Sequence, residues 1–211
     1  METWQTKIFL YIVVVLSAII HEYAHGWAAL RAGDSTAKYA GRLTLNPLAH
    51  LDMFGTVILP LVLLFTGGLF IGYAKPVPVN PYNFREQKRG MIFVSLAGVA
   101  VNFALGFIFA FIYVAASVKG LGSVAFQNLL GLVAYINIIL ALFNLIPIPP
   151  LDGSKLLAAL TPQRYQIILA RLQSYGSLVG IFLALLIAFF ILAPLAQLVF
   201  GLFARLADLV F

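Results

Sequence analysis

Long apolar stretches, separated by short polar or proline-rich segments, dominate the pattern of this chain. Five such stretches cover residues 8–30, 55–74, 90–118, 124–147 and 177–203 approximately. Each one approaches or exceeds the roughly 20 residues that a helix needs to cross the hydrocarbon core of a bilayer. Because backbone in lipid must satisfy its own hydrogen bonds, we expect helices. The pattern predicts an all-α polytopic membrane protein, a bundle of about four to six membrane segments.

The second stretch differs from the others in its helix-breaking residues. It carries Pro60 and the pair Gly67-Gly68, and it runs into residues 75–81, which contain three prolines. Proline disfavours a helix both at its own position and at the residue before it. We therefore expect a re-entrant or extended segment after the first span. Such backbone is allowed at membrane depth only where protein or water covers it.

Residues 155–175 form a less apolar region between the fourth and fifth stretches. Leucines and isoleucines alternate there with Lys155, Arg164 and Arg171. This pattern predicts one interfacial amphipathic helix, with a solvated loop helix as the alternative. The sequence shows no internal repeat, and we expect residues 1–211 to form a single transmembrane domain.

Composition narrows the chemistry that this membrane protein can use. The chain is 63% hydrophobic and only 9% charged, so water cannot solvate it as an ordinary soluble domain. It has no cysteine, so any metal site must use histidine and carboxylate ligands. The net charge of +6 is dispersed between apolar runs. These charges indicate loops that orient the chain in a membrane, and no nucleic-acid partner is expected.

The first apolar stretch contains a pattern typical of zinc sites, His-Glu-Tyr-Ala-His at residues 21–25. On a helix, His21 and His25 share one face, so both imidazoles can reach one ion. Glu22 lies beside them, where its carboxylate can hold and deprotonate a water. Ionisable groups inside an apolar stretch are energetically expensive and usually functional. The alternative is a buried histidine pair that is hydrogen-bonded to the backbone.

A catalytic zinc ion needs three protein ligands and an open position, so a third ligand must come from elsewhere. Asp152 and His50 are the candidates. Asp152 follows the fourth stretch, just after a proline turn that can direct it back into the protein. We favour Asp152 because of the cost of burying a carboxylate, although Asp-Gly is also common in turns. His50 lies in a loop and is interpreted as an ordinary loop or interfacial histidine.

The distribution of basic residues gives an independent indication of topology. His25 and Asp152 can meet at one depth only if the first and fourth stretches run in the same direction, which requires a re-entrant second stretch. The 13 lysines and arginines then divide 10 against 3, whereas five full crossings divide them 8 against 5. The positive-inside rule thus predicts an external N-terminus and a site near the cytoplasmic face.

Three motifs together make the chain resemble the site-2 protease family of intramembrane zinc metalloproteases. They are the pattern at residues 21–25, the Ser-Leu-Ala-Gly-Val-Ala-Val-Asn segment at residues 95–102, and the segment at residues 144–153 that ends in Leu-Asp-Gly. The chain departs from the family pattern at Val99, where proline is frequent, and at Ser154, where a second glycine is frequent. Neither departure removes a predicted zinc ligand, so we expect them to alter local packing and not the reaction.

The resemblance implies one Zn²⁺ per chain, held by His21, His25 and Asp152, with Glu22 as the catalytic acid/base. It also implies that Asn102 and Asn144 position the substrate or polarise its scissile carbonyl. Within the family, the chain resembles the compact form, which has no PDZ or CBS domain. The expected setting is the cell membrane of a prokaryote, with a membrane-embedded protein or peptide as the partner.

The expected reaction is hydrolysis of a peptide bond in or near a transmembrane segment. The extended, proline-rich backbone around Val77 offers an edge to which an unfolded substrate strand could add. One alternative is a non-proteolytic membrane zinc protein, such as a binding or assembly factor, in which His50 closes the fourth position. Another is a small transporter, but this would predict an inverted repeat that the sequence does not show.

Overall fold

The computed structural model describes residues 4–58 and 74–210, and these are helical with no β-strand. This confirms the all-α prediction. The contacts group the chain into two compact units, residues 1–98 and 99–211. The α-helices in chain order are α1 (Trp4–Ala32), α2 (Thr36–Tyr39), α3 (Pro47–His50), α4 (Gln87–Val118), α5 (Val124–Asn144), α6 (Asp152–Leu160), α7 (Gln163–Ser174) and α8 (Ser177–Asp208).

Among the described residues, four helices are long and apolar enough to cross a membrane. They are α1, α4, α5 and most of α8. They coincide with four of the five apolar stretches, so the helical spans predicted there are confirmed. The second stretch, with its predicted re-entrant course, lies outside the described residues apart from a π-helical turn at Met53–Ile58 and Ala74.

The first unit is built around the C-terminal part of α1. Gly33 ends this helix with a positive φ of 115°, and the amide of Asp34 donates to the carbonyl of Ala29 at 2.8 Å. This left-handed glycine is a common way to satisfy the last carbonyls of a helix. Buried side chains then pack together from α1, the loop before α4, and the first turns of α4, namely Ala28, Ala29, Phe84 and Val94.

Residues 74–80 connect to this core as a segment that is neither helix nor strand, as its prolines predict. The amide of Lys75 donates to the carbonyl of His50 at 2.9 Å, and Nη2 of Arg42 donates to the carbonyl of Lys75 at 2.9 Å. A 3₁₀ turn at Pro81–Asn83 then leads to α4, with the side chain of Asn80 accepting from the amide of Tyr82. The described backbone hydrogen bonds of this segment are therefore made with helices, loops and side chains and not with a strand.

The second unit packs α8 against α5 and the later turns of α4. The ring of Phe200 on α8 contacts Tyr113 on α4 and Tyr135 on α5, with ring centroids 5.9 and 6.5 Å apart. Phe203 contacts Phe107 edge to face at 5.3 Å. Such aromatic pairs supply the dispersion contacts that hold helices together in lipid, where the hydrophobic effect does not operate between them.

The region predicted as one amphipathic helix, residues 155–175, contains two helices in the structure. Helix α6 ends at Leu160 and α7 begins at Gln163. Pro162 stands between them, and it cannot donate the backbone hydrogen bond that a continuous helix needs. The prediction of a single helix was therefore wrong. Exposed Ile167 and Ile168 still give α7 the apolar face of an interfacial helix.

Candidate metal centre

Helix α1 carries the two histidines of the predicted site one turn apart. Both side chains are buried, with 6% of each residue exposed. The two Nε2 atoms lie 2.9 Å apart, and the rings are nearly perpendicular, with centroids 4.6 Å apart. The structure therefore points the same ring nitrogen of His21 and of His25 at one small volume, as the four-residue spacing predicts.

A backbone carbonyl fixes the orientation of the His25 ring. Nδ1 of His25 lies 2.7 Å from the carbonyl oxygen of Val94 on α4. A carbonyl can only accept, so Nδ1 must carry the proton that it donates. The neutral ring then has its lone pair on Nε2, which is the tautomer that a metal ion requires. Metal-binding histidines are commonly oriented by a partner of this kind.

Gly98 on α4 gives the two imidazoles their space. A Cβ atom at this position would come within 2.5 Å of Nε2 of His21 and within 2.6 Å of Nε2 of His25. No side chain fits at such distances unless the rings move. Helix α4 therefore passes directly against the two nitrogens that face each other, and only glycine is compatible with their present positions.

Glu22 lies beside the histidines and contacts the extended segment. Its Oε2 atom accepts a hydrogen bond of 2.7 Å from the amide of Val77, and the side chain is half-buried. Backbone from a distant part of the chain thus holds the carboxylate of the residue that follows His21. The proline-rich segment thus contacts Glu22, the residue that the sequence predicts as the catalytic acid/base.

A second carboxylate, Asp34, anchors the other end of the same segment. It is fully buried, and it accepts from the amides of Asn80 and Thr36 at 2.7 and 3.0 Å and from Nδ2 of Asn83 at 2.8 Å. The hydroxyl of Thr36 also donates to it. Burial by itself would raise the pKa of Asp34, but hydrogen bonds from Thr36, Asn80 and Asn83 outweigh burial and hold this pKa below its ordinary value.

Asp152 lies in the second unit, at the first residue of α6. It is 5% exposed, and its Oδ1 atom accepts from Nζ of Lys155 at 2.8 Å. The next residue, Gly153, lies so close to the preceding turn that a Cβ atom would come within 2.2 Å of the carbonyl oxygen of Leu145. The buried carboxylate is thus held by a tight backbone turn and a lysine one helical turn away.

The two asparagines predicted to contact substrate take part in helix contacts. Asn102 is fully buried on α4, and its Nδ2 atom lies 3.4 Å from Oδ1 of Asn137 on α5. Asn144 donates from Nδ2 to the carbonyl of Leu140, one turn earlier in α5, at 2.9 Å. The structure brings the first into an interhelical pair and the second onto its own helix. Their substrate roles remain predictions.

His50, the other candidate for third ligand, is buried at the end of α3. Its Nε2 atom donates to the carbonyl of Thr44 at 2.8 Å. Its Nδ1 atom has no hydrogen-bond partner within the described part of the chain. One nitrogen of this ring is therefore engaged by the backbone of a neighbouring loop.

The residues present fit zinc. Two imidazole nitrogens face each other beside Gly98, and zinc binds histidine nitrogen at about 2.0–2.1 Å. The separation of 2.9 Å between the two Nε2 atoms is short enough for one ion to reach both. The residue that follows His21 on the same helix, Glu22, carries a half-buried carboxylate.

Sequence reasoning missed three residues that shape this region. Gly98 was noted only as part of a motif, and no local signal reveals that it faces the imidazoles. The role of Asp34 depends on contacts with residues about 46 and 49 positions away, which no local pattern shows. Lys155 could have been found, because its three-residue spacing from Asp152 at a helix start is typical of an ion pair.

Comparison with known proteins gives a consistent assignment. The profile of peptidase family M50 matches residues 121–187. The "Putative zinc metalloprotease YwhC" of Bacillus subtilis is 38% identical over 176 residues, which cover 81% of this chain and 77% of that protein. No solved structure gives a significant match.

Mycobacterial proteins named "Putative zinc metalloprotease Rip2" are also similar. The protein from Mycolicibacterium smegmatis is 28% identical over 170 residues, and that from Mycobacterium tuberculosis is 31% identical over 151 residues. The alignments cover 80% and 70% of this chain, and 63% and 54% of the respective relatives. With the Bacillus match and the four apolar helices, this similarity establishes that the chain is an integral membrane protein of peptidase family M50, the site-2 protease family of zinc metalloproteases.

Proposed function

We propose that this protein is an intramembrane zinc metalloendopeptidase that hydrolyses peptide bonds in or near transmembrane segments of membrane proteins. One zinc ion per chain is held by His21, His25 and Asp152, and Glu22 is the catalytic acid/base. The observation that carries the proposal is the buried pair of Nε2 atoms 2.9 Å apart, with a carboxylate on the adjacent residue of the same helix.

The choice of Asp152 as the third ligand rests on chemistry. A buried carboxylate needs a cation to balance it, and Asp152 is 5% exposed in an otherwise apolar region. Lys155 balances part of this charge through Oδ1. His50 is the weaker candidate because its Nε2 atom already donates to the carbonyl of Thr44. The proposal requires the Asp152 carboxylate to bind the same ion as the two imidazoles.

Glu22 carries the proton transfers in this mechanism. Zinc, when bound, lowers the pKa of a water molecule and polarises the scissile carbonyl. Glu22 takes a proton from the attacking water as its oxygen bonds to the carbonyl carbon. Glu22 then gives that proton to the departing amine nitrogen as the C–N bond breaks, so the carboxylate returns to its starting state.

The extended segment beside Glu22 is the proposed contact for the substrate backbone. A helical substrate shields its amides, so the scissile region must unwind before a water can attack it. The non-helical residues 74–80 run past Glu22, whose carboxylate accepts from the amide of Val77, and an unwound strand is proposed to add along this segment. Asn102 and Asn144 are proposed to assist in positioning it. The site is proposed to lie near the cytoplasmic face.

The substitution Glu22→Gln tests the catalytic role. Purified protein in detergent or liposomes is incubated with a defined transmembrane substrate, and both cleavage and bound zinc are measured. We expect cleavage to fall by about 10²–10⁴-fold, the usual contribution of general acid–base catalysis, while zinc content stays near that of wild type. Asp208→Asn, a change of an exposed acid at the end of α8, is the control. Undiminished cleavage by Glu22→Gln would refute the proposal.

A further inference from the structure

A basic cavity lies in the first unit, where α1 ends and α4 begins. Its volume is about 280 Å³, and its lining includes the side chains of Arg31, Arg85, Glu86, Arg89 and Phe93. The end of α1 is joined to the loop before α4 at this point, because the amide of Arg85 donates to the carbonyl of Ala32 at 2.9 Å. The cavity lies beside this hydrogen bond.

The charge of the cavity favours an anion. Three guanidinium groups and one carboxylate line it, and the carboxylate of Glu86 is already paired with Arg89 at 3.1 Å. Guanidinium groups remain charged at any physiological pH, and their fork of donors matches the oxygens of a phosphate group. The three arginines come from the end of α1, the loop before α4 and the first turn of α4, and all three line the same cavity.

Apolar surface begins directly beside these charges. The guanidinium of Arg31 lies 5.1 Å from the centre of the Trp27 ring, and this ring lies 6.1 Å from that of Phe93. Trp27 and Phe93 are 41% and 45% exposed, and both belong to membrane-crossing helices. Tryptophan is enriched at the level of lipid headgroups. The positive charge of Arg31 thus lies beside the exposed rings of Trp27 and Phe93, where the membrane interface is expected.

From this juxtaposition we propose a binding site for an anionic phospholipid. Its phosphate group is held by Arg31, Arg85 and Arg89, and an acyl chain lies against Trp27 and Phe93. The cavity suits a headgroup alone, since pockets that enclose whole small ligands usually measure about 300–1,000 Å³. The adjoining aromatic surface selects a lipid over a free phosphate ion. The site does not depend on the proposed catalytic activity.

Binding is tested on the full-length protein, first with wild type alone. Delipidated protein in detergent receives phosphatidylglycerol or phosphatidylcholine with identical acyl chains, and bound lipid is counted by native mass spectrometry. Glycerol phosphate and inorganic phosphate are the soluble competitors. We expect at least a tenfold preference for phosphatidylglycerol, with little competition from the soluble phosphates. Equal retention of both lipids, or equally strong binding of a soluble phosphate, would overturn the proposal.

The second arm identifies the residues. The triple substitution Arg31→Gln, Arg85→Gln and Arg89→Gln should remove the preference for phosphatidylglycerol. A matched triple substitution of exposed lysines outside the cavity, Lys38→Gln, Lys88→Gln and Lys119→Gln, makes the same change in net charge. It should retain the preference. If both triple variants lose it equally, general charge and not the cavity binds the lipid, and the site is refuted. If the triple arginine variant does not fold, the single variant Arg85→Gln and the wild-type lipid comparison still test whether the cavity binds the lipid.

Discussion

The two regions that supply the proposed zinc ligands hold their side chains in different ways. His21 and His25 project from the C-terminal half of a long regular helix, and their spacing follows from the helical repeat. Asp152 projects from a tight turn at the start of the nine-residue helix α6. The histidines need mainly an unobstructed space, whereas the aspartate needs a particular backbone path. We therefore expect the backbone of the helix to accept most substitutions next to a ligand, and the backbone of the tight turn to accept few.

The two glycines next to these ligands show the difference most clearly. A Cβ atom at Gly98 would meet ring atoms of the two histidines, which are ends of side chains. A Cβ atom at Gly153 would meet the carbonyl group of Leu145, which is backbone. Adding one methyl group at each position therefore separates damage to the metal site from damage to the fold.

The largest effect is expected for Gly98→Ala. The added methyl group displaces the imidazoles while the backbone of α4 stays in place, so zinc is lost and the fold is kept. We expect cleavage to fall by about 10²-fold or more, because small misplacements at a reacting centre have effects of this size. Zinc content, cleavage and thermal unfolding are measured together. Gly131→Ala on α5 is the control, since its nearest contact would be an ordinary 3.5 Å. Normal zinc content in Gly98→Ala would contradict the assignment.

Gly153→Ala should instead destabilise the protein. The carbonyl of Leu145 lies 2.2 Å from the added Cβ, and the turn must open to relieve this overlap. We expect a loss of about 1–3 kcal/mol in the free energy of unfolding, typical of overpacking, together with a loss of zinc. The measurement is unfolding in detergent by heat or denaturant. Gly201→Ala, where a Cβ meets nothing within 4 Å, serves for comparison. Unchanged stability would show that the turn is more adaptable than the histidine helix.

Lys155→Met sharpens the comparison on the aspartate side. The lysine holds Oδ1 of Asp152 at 2.8 Å, so its loss should leave the carboxylate less well oriented. Partners of metal ligands typically contribute 10–100-fold to metal affinity, and we expect a weakening of zinc binding near the lower end, about tenfold. Competition with a chelator gives the affinity. Lys155→Arg retains the positive charge and should recover part of the zinc affinity. If Lys155→Met binds zinc as tightly as wild type, the ion pair has no role in orienting Asp152.

The smallest effect on zinc binding is expected for Asp34→Asn, which loosens the extended segment on the histidine side. An amide cannot accept all the hydrogen bonds that Asp34 accepts, and we expect a loss of about 1–3 kcal/mol in stability at neutral pH. The pKa of Asp34 is lowered in the folded protein, so its contribution is present above the ordinary value of 3.8.

That contribution disappears as the pH falls through the lowered folded pKa. The difference in unfolding temperature between wild type and Asp34→Asn should therefore shrink in strong acid. Asp52→Asn gives a comparison with a half-buried acid of the same unit. A difference that stays constant down to strong acid would show that the charge of Asp34 does not hold the segment.

The sequence alone determined the features that depend on local spacing and polarity. Apolar length predicted the four spans that the structure describes, and the repeat of the helix placed His21 and His25 on one face of α1. Both inferences work because lipid enforces helices and a helix has a fixed period. The single helix predicted over residues 155–175 failed where Pro162 removed one backbone donor.

Only the tertiary structure decided which distant groups meet these local features. The carbonyl of Val94 fixes the tautomer of His25, the amide of Val77 holds Glu22, and Gly98 leaves the space between the imidazoles. None of these partners lies near the histidine motif in sequence, and each contact depends on how helices and loops pack. Local sequence sets which atoms can bind a metal, whereas packing sets their protons, their orientation and the room around them.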